Sequence, residues 1–220
     1  MVEIVLRHRT VDLPYTIRIY DVTEELFDEL VDEDTKAELI DGVMIVHSPA
    51  SPRHDDVTGF LRLLFRAYAR GKGLGLVLGP DSLIHPAPGR RFAPDLFFFE
   101  QGRVPQPLPE EQFEGAPDLV LEVLSPSNRD DDLDVKRPAY REAGIPEIWL
   151  VDPDRQQVLV DRRRRKRYTT ETVSEGRVTS TAVPGFWIEA AWLWQEPLPN
   201  ELDCLHEIMD QPLRPKRKPR

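Results

Sequence analysis

The pattern of apolar and polar residues in the N-terminal third predicts a helix, a hairpin and a second helix. Thr23 is typical of an N-cap, and residues 24–30 after it carry acids in the first turn and apolar positions beyond. Asp41-Gly42 lies between two apolar runs and is typical of a two-residue β-hairpin turn. Ser51-Pro52 then opens a helix whose apolar residues recur every three or four positions until Gly71.

Apolar runs with Pro- and Gly-rich turns between them predict strands in the middle of the chain. We expect three strands, within residues 74–85, 94–99 and 117–124. A helix from about residue 130 to 143, a buried strand at 148–151 and a hairpin within 157–173 follow. The order helix, three strands, helix, strand predicts an α/β domain with a mixed sheet.

Composition sets the class of protein. The 220 residues are 40% hydrophobic and 31% charged, which is typical of a globular chain. The longest apolar runs are too short to cross a bilayer, and the start lacks the pattern of a secretory signal. The single cysteine, Cys204, excludes a disulfide or a cysteine metal cluster within the chain. We therefore expect a cytoplasmic protein with no membrane partner.

Charge is unevenly distributed. The net charge is −10, but residues 162–167 contribute six positive charges and residues 211–220 five more. The rest of the chain has 18 basic and 39 acidic residues, and it repels nucleic acid unless basic segments or divalent cations offset it. We expect a single domain over residues 1–205 and a disordered, basic, Pro-rich tail over 206–220.

Two acidic residues lie in strongly apolar strands. Asp95 precedes Leu96-Phe97-Phe98-Phe99, and Glu122 lies inside the apolar run 119–124. A buried carboxylate needs a cation or several donors, so two such strands side by side could converge on a hard divalent ion such as Mg²⁺. The alternative is that each acid lies at a strand end, where it is solvated or caps a helix.

Lys136 follows on the next predicted helix. At helical spacing it shares a face with Asp132 and Tyr140. Its ammonium could reach back over the strand end to orient a water or stabilise charge on a phosphoryl group. The alternative is a solvated lysine paired with Asp132.

An ordered set of motifs runs through most of the chain. In sequence order it consists of Glu38-Leu39-Ile40-Asp41-Gly42, Ser48-Pro49, His54, Pro94-Asp95, residues 117–126 (PDLVLEVLSP), Asp132, Lys136, Tyr140 and residues 144–153 (GIPEIWLVDP). Over about residues 20–190 this set resembles the Uma-type family of bacterial restriction endonucleases, a branch of the PD-(D/E)XK nuclease superfamily.

The resemblance implies a fold, an activity and a cofactor. The fold would be a restriction-endonuclease-like core of helix, three strands, helix and strand, with a mixed sheet and extra N- and C-terminal hairpins. The activity would be hydrolysis of nucleic-acid phosphodiesters, with DNA as the expected partner and Mg²⁺, or Mn²⁺ in its place, as the metal. Asp95 matches the aspartate of the PD half-motif and Glu122 the acid of (D/E)XK, which makes both metal ligands.

The chain departs from the superfamily pattern at one position. The motif lysine should stand two residues after the acid, where this sequence has Leu124, and Lys136 is the candidate replacement. By the same resemblance, Glu38 is a third carboxylate or water-orienting acid. His54, near the start of the first core helix, is a general base or a phosphate contact, or alternatively a capping or core histidine.

Two groups of side chains are candidates for contacts outside the pocket. Arg163, Arg164, Arg165 and Lys166 could contact a DNA backbone, or form only a solvated turn. Three tryptophans near the C-terminus could pack under that segment or form the interface of a homodimer.

Other functions remain open at this point. Leu124 favours a catalytically inactive nuclease-fold binding module, and a metal hydrolase of small phosphoesters is a third option. For the nuclease we expect Asp95→Asn to abolish cleavage and to leave the fold intact or more stable, because a buried charge is removed.

Overall fold

The computed structural model describes residues 16–31, 36–47, 49–126 and 128–210. Within them the helical elements are α1 Glu24–Leu30, α2 Pro52–Gly71, α3 Arg129–Asp131, a π-helical turn Asp132–Lys136, α4 Arg137–Glu142 and α5 Glu201–Met209, with 3-10 turns at Gln101–Arg103 and Ala190–Trp194. The strands are β1 Thr16–Tyr20, β2 Ala37–Ile40, β3 Val43–His47, β4 Gly75–Leu78, β5 Leu83–Ala87, β6 Arg90–Phe92, β7 Leu96–Glu100, β8 Gln112–Glu114, β9 Leu119–Val123, β10 Glu147–Asp152, β11 Gln157–Arg164, β12 Arg167–Val173, β13 Arg177–Thr179 and β14 Trp187–Glu189.

Most strands belong to two six-stranded sheets. The core sheet has the order β12-β11-β10-β9-β7-β4, and the arm sheet has the order β1-β3-β2-β6-β5-β8. Strands β9 and β10 are parallel and are joined through α3 and α4, whereas β7 is antiparallel to β9. The core sheet is therefore mixed, as predicted.

The core sheet is covered on both faces. One face packs on α2 and the C-terminal segment, with Leu119, Leu121 and Val123 of β9 in that cluster. The other face packs on α4 and the arm sheet through Val120 and its neighbours. Because strand residues alternate between faces, Glu122 points to the side of α4 and the arm sheet.

Capping and turn residues explain the predicted N-terminal elements. Thr23 caps α1 by accepting from the backbone N–H of Leu26, and Ser51 caps α2 by accepting from the backbone N–H of His54. Asp41 and Gly42 both have positive φ, as the two-residue turn between β2 and β3 requires. These three predictions are confirmed.

The prediction of one strand over residues 74–85 is wrong. The chain forms two strands there, β4 in the core sheet and β5 in the arm sheet. Gly79, with φ of 127°, lies between them, and a Cβ at that position would come within 2.5 Å of the carbonyl oxygen of Asp95. The glycine lets the chain pass close to the start of β7 as it leaves the core sheet and enters the arm sheet.

The C-terminal helix crosses the domain boundary expected from the sequence at residue 205. Helix α5 continues to Met209, and Ile208 is buried against α2 and the core sheet. Residues 211–220, the part of the tail with the basic charge, lie outside the described residues. No helix in the described part of the chain is long and apolar enough to span a membrane.

Candidate active site

The pairing of β7 with β9 brings the two predicted acids together. Leu96 pairs with Leu121 in an antiparallel register, which places Asp95 opposite Glu122. The backbone N–H of Asp95 donates to Oε2 of Glu122 at 3.4 Å, and the backbone N–H of Val123 donates to Oδ2 of Asp95 at 2.8 Å. The expectation that these strands are neighbours is confirmed.

Asp95 is a buried carboxylate with donors of its own. Oδ2 lies 3.1 Å from Nε2 of His54 on the first turn of α2. Burial alone would raise the pKa of Asp95, but the bond to His54 and the charges around it lower that pKa overall. The ionised form is therefore the stable one, so Asp95→Asn should destabilise the fold, contrary to the effect expected from the sequence.

Glu122 is buried with less compensation. Its Oε1 accepts from the Tyr140 hydroxyl at 2.6 Å and lies 2.6 Å from Nζ of Lys136. Burial raises the pKa of Glu122, and repulsion from Asp95 and Glu38 adds to the effect, so the pKa stays above its usual value despite Lys136.

Lys136 reaches the acids because the helix widens by one π-helical turn at its position. In this turn both Lys136 and Asp132 are buried. Nζ of Lys136 lies 2.6 Å from Glu122, 3.2 Å from Glu38 and 3.2 Å from Asp132. Although burial opposes it, these three carboxylates raise the pKa of Lys136 well above its ordinary value, so the ammonium is charged.

Asp132 depends on Lys136 for its charge. Both of its carboxylate oxygens are buried and accept no hydrogen bond from a described residue. Burial raises the pKa of Asp132 well above its ordinary value, and the other acids of the site add to that. The alternative reading expected a solvated Lys136 paired with Asp132. The pair is present, but the lysine is not solvated, because both residues are buried.

Glu38 reaches the site from strand β2 of the arm sheet. Oε1 accepts from the backbone N–H of Ala93 at 2.9 Å and lies near Lys136, while Oε2 lies 2.9 Å from Nε2 of His47. Burial opposes ionisation, but Lys136 and His47 lower the pKa of Glu38 to about 2. The structure thus brings together Asp95, Glu122, Lys136, Glu38 and His54, the candidate residues from the sequence.

A cavity of about 60 Å³ lies over these side chains, between the arm sheet and the C-terminal end of β9. Its polar and charged wall residues are Thr16, Lys36, Glu38, His47, Ser51, His54, Asp95, Glu122, Ser125, Asn128 and Lys136. Its size and chemistry suit a small hydrated ion and one anionic group rather than a large apolar ligand.

The donor set of this cavity matches the chemistry of a divalent cation. Both described hydrogen bonds of the Asp95 carboxylate use Oδ2, which leaves Oδ1 with no described hydrogen-bond partner. Carboxylate oxygens are the ligands that Mg²⁺ prefers, and acids outnumber bases among the buried groups. Within the described residues, however, no three His, Cys, Asp or Glu side chains are already gathered as a metal-binding group.

Leu124, at the position of the motif lysine, packs in the apolar cluster with Tyr140 and Ile145. It therefore contributes nothing polar to the cavity. An ammonium does lie beside Glu122, but it belongs to Lys136 on the following helix, 2.6 Å from Oε1.

The basic run lies away from the cavity. Glu122 is in register with Leu150, which pairs with Leu159, and Arg164 is five residues further along β11. This offset places the end of the hairpin about 17 Å along the strands from Glu122, at the opposite end of the sheet. Arg163 donates to the carbonyl oxygen of Gly144 at 2.7 Å, while Arg164, Arg165 and Lys166 are exposed.

Sequence reasoning missed two basic residues of the cavity wall. His47 ends β3 and bonds Glu38, and Lys36 precedes β2 at the mouth of the cavity. The sequence offers one indication of them: both residues lie at the open end of the β2–β3 hairpin that carries Glu38. Without the pairing of that hairpin to the rest of the fold, neither residue could be placed beside Asp95.

Comparisons with known proteins agree with this architecture. The model of the Uma2 family, described as "Putative restriction endonuclease", matches residues 24–191. A solved structure of a "putative nuclease belonging to DUF820" from Anabaena variabilis ATCC 29413 superimposes with a TM-score of 0.69 and 20% sequence identity, covering 79% of this chain and 97% of that one. No curated protein matches the chain. The restriction-endonuclease-like fold and the family resemblance predicted from the motifs are confirmed.

Proposed function

Since the chain belongs to the Uma2 family, we propose that it is a metal-dependent endonuclease that hydrolyses phosphodiesters of DNA. One observation carries the proposal: the Lys136 ammonium, from a helix, lies 2.6 Å from Glu122 while Asp95 lies directly across the strand pair. Two acids and a lysine at one strand end are the arrangement that the family's chemistry needs.

Asp95 and Glu122 are the residues that would hold the metal. Mg²⁺ fits them best because both offer hard oxygen donors, and Mn²⁺ takes similar ligands. When bound, the cation supplies Lewis-acid stabilisation of the phosphate and a lower pKa for water. Its charge would also offset the repulsion from Asp95 and Glu38, which adds to burial in raising the pKa of Glu122.

Other residues position this pair. Tyr140 fixes Oε1 of Glu122 through a 2.6 Å bond, and His54 holds Oδ2 of Asp95. We assign His54 to positioning Asp95 rather than to general-base catalysis, because its Nε2 is engaged there. Lys136 keeps Glu38 and Glu122 together, and its ammonium would orient the attacking water.

The basic hairpin is a second, weaker contact in this proposal. Its exposed residues Arg164, Arg165 and Lys166 are at the opposite end of the core sheet and could meet a DNA backbone only outside the cavity. Their substitution should change binding and its salt dependence, and should leave the chemical step unchanged.

Cleavage assays on supercoiled plasmid, linear duplex and single-stranded DNA test the proposal. With Mg²⁺ or Mn²⁺ the unmodified chain should cut at least one of these, and chelation should stop it. Glu122→Gln and Asp95→Asn should each lower the cleavage rate by more than about 100-fold. Loss of a residue that only hydrogen-bonds to a metal ligand costs up to that much, and a ligand itself should matter more.

The matched control is Asp161→Asn, the same change at a buried acid at the other end of the sheet. It should keep activity at a temperature where circular dichroism shows it folded. Calorimetric binding of Mg²⁺ without cleavage of any DNA would refute the nuclease and support an inactive binding module. Cleavage of a chromogenic phosphodiester alone would instead indicate a hydrolase of small phosphoesters.

A further inference from the structure

Lys36 stands at the mouth of the cavity with its ammonium unused. It is exposed, it lies two residues before Glu38, and it lines the cavity together with Ser51 and His54. Among the described residues its side chain has no hydrogen-bond or ion-pair partner. Its charge nevertheless acts on Asp95 inside the cavity, since it contributes to lowering the pKa of that carboxylate.

The other basic residues of the wall are already bound to acids. His47 bonds Glu38, His54 bonds Asp95, and Lys136 is surrounded by three carboxylates. Each therefore presents little free positive charge to an incoming ligand. Within the described wall, Lys36 is the basic residue whose donors remain open.

An anionic substrate needs such a group. The carboxylates of the cavity repel a phosphodiester, and a free ammonium at the entrance both attracts the anion and donates to its oxygens. Lys36 is close enough to Asp95 to influence its pKa. It is also exposed enough to reach a nucleic-acid backbone that stays outside the narrow cavity.

We propose that Lys36 binds a non-bridging oxygen of a substrate phosphate at the cavity mouth and so positions the nucleic-acid backbone over Asp95 and Glu122. The inference rests on the proposed nuclease function and adds a substrate-binding residue to it. Lys136, in contrast, organises the acids and does not serve as the phosphate contact.

Two measurements on Lys36→Gln and Lys36→Arg test this. The first is steady-state cleavage, in which Lys36→Gln should raise KM about 10-fold with a smaller change in kcat, and Lys36→Arg should restore most of the loss. The second is fluorescence anisotropy with a labelled single-stranded oligonucleotide, measured without metal in the Glu122→Gln background, where cleavage plays no part.

The matched control is Arg70→Gln, which also removes one exposed positive charge. Arg70 lies in the last turn of α2, about 28 Å along that helix from Ser51. We expect Lys36→Gln to weaken oligonucleotide binding about 10-fold more than Arg70→Gln and to lower the slope of log affinity against log salt by about 0.7, the value for one single-strand phosphate contact.

The two proposals can fail separately. If no DNA is cleaved but Lys36→Gln still weakens oligonucleotide binding and Lys36→Arg restores it, the nuclease proposal fails and the phosphate contact stands. If Lys36→Gln and Arg70→Gln bind alike, or if the unmodified chain binds no oligonucleotide, the Lys36 contact is overturned whatever the cleavage assay gives.

Discussion

Two groups of buried carboxylates, near opposite ends of the core sheet, have their charge compensated in different ways. At one end are the site acids, defined as Glu38, Asp95, Glu122 and Asp132. At the other end are the far-end acids, Glu147 and Asp161, on adjacent positions of the β10–β11 pair.

Each far-end acid has a full set of donors. Asp161 accepts bidentate bonds from Arg137 at 2.8 and 2.9 Å and further bonds from Arg141 and Thr170. Glu147 accepts from Trp149 Nε1 at 2.8 Å, from Ser180 Oγ at 2.7 Å and from backbone N–H groups of the same loop. Despite burial, the bonds from Arg137 and Arg141 lower the pKa of Asp161.

Three of the site acids share one cation, and two of them are left undercompensated. Glu38, Glu122 and Asp132 surround the single ammonium of Lys136, and the pKa values of Glu122 and Asp132 are raised as a result of burial and mutual repulsion. The difference teaches that a buried acid does not mark a functional site by itself. A shortage of donors around several buried acids is a stronger indication of one, because such a shortage costs stability.

The largest expected effect comes from removing the shared cation. Lys136→Met leaves three buried carboxylates without their ion pairs, so the free energy of unfolding at neutral pH should fall by about 3–5 kcal/mol. Urea denaturation followed by circular dichroism measures the change. The loss should shrink in mildly acidic buffer, where the raised pKa values let Glu122 and Asp132 take up protons.

The matched control is Lys166→Met, the same substitution at the exposed tip of the β11–β12 hairpin. It should change the free energy of unfolding by no more than about 0.5 kcal/mol. An equally small effect of Lys136→Met would mean that the site acids do not depend on its charge, and the contrast between the two ends of the sheet would disappear.

A smaller loss should follow from neutralising a far-end acid. In Asp161→Asn the amide N–H₂ faces guanidinium donors, so part of the bonding from Arg137 and Arg141 is lost. We expect a drop of about 2 kcal/mol in the free energy of unfolding, typical of hydrogen bonds to a charged group. A gain in stability on urea denaturation would contradict the view that this acid is fully compensated.

Much of the site end could be predicted from the sequence because its signals are local. Asp95 and Glu122 stand out in apolar runs, and Lys136 follows at helical spacing on the next element. The sequence could not show that Lys136 reaches Glu122, because its position depends on a π-helical turn. Nor could it show that Glu38, on the arm sheet, lies next to Lys136.

The far-end acids illustrate the opposite case. Glu147 and Asp161 also begin or end apolar strands, yet nothing in the sequence separates them from catalytic acids. Their guanidinium and backbone donors come from α4 and from the loop at residues 180–182, which are distant in the chain. The number of donors that reach a carboxylate is set by tertiary packing, so it becomes visible only in the folded structure.

The smallest expected effect has the opposite sign. Glu122→Gln keeps an oxygen for the Tyr140 hydroxyl and removes an undercompensated charge. The free energy of unfolding at pH 7.5 should therefore rise, on the order of 1 kcal/mol, while cleavage is lost, as expected where stability has been sacrificed for function.

The pH dependence of that gain identifies its cause. The folded pKa of Glu122 lies above the value of 4.5 for a free side chain, so the wild-type protein takes up a proton and recovers stability as the pH falls through the folded pKa. Glu38, with a pKa of about 2, stays ionised over the same range and does not obscure the comparison. The advantage of Glu122→Gln over wild type should thus shrink steadily as denaturation is repeated towards about pH 5. An advantage that persists unchanged at the lower pH would come from packing, and the site acids would then be no less compensated than the far-end acids.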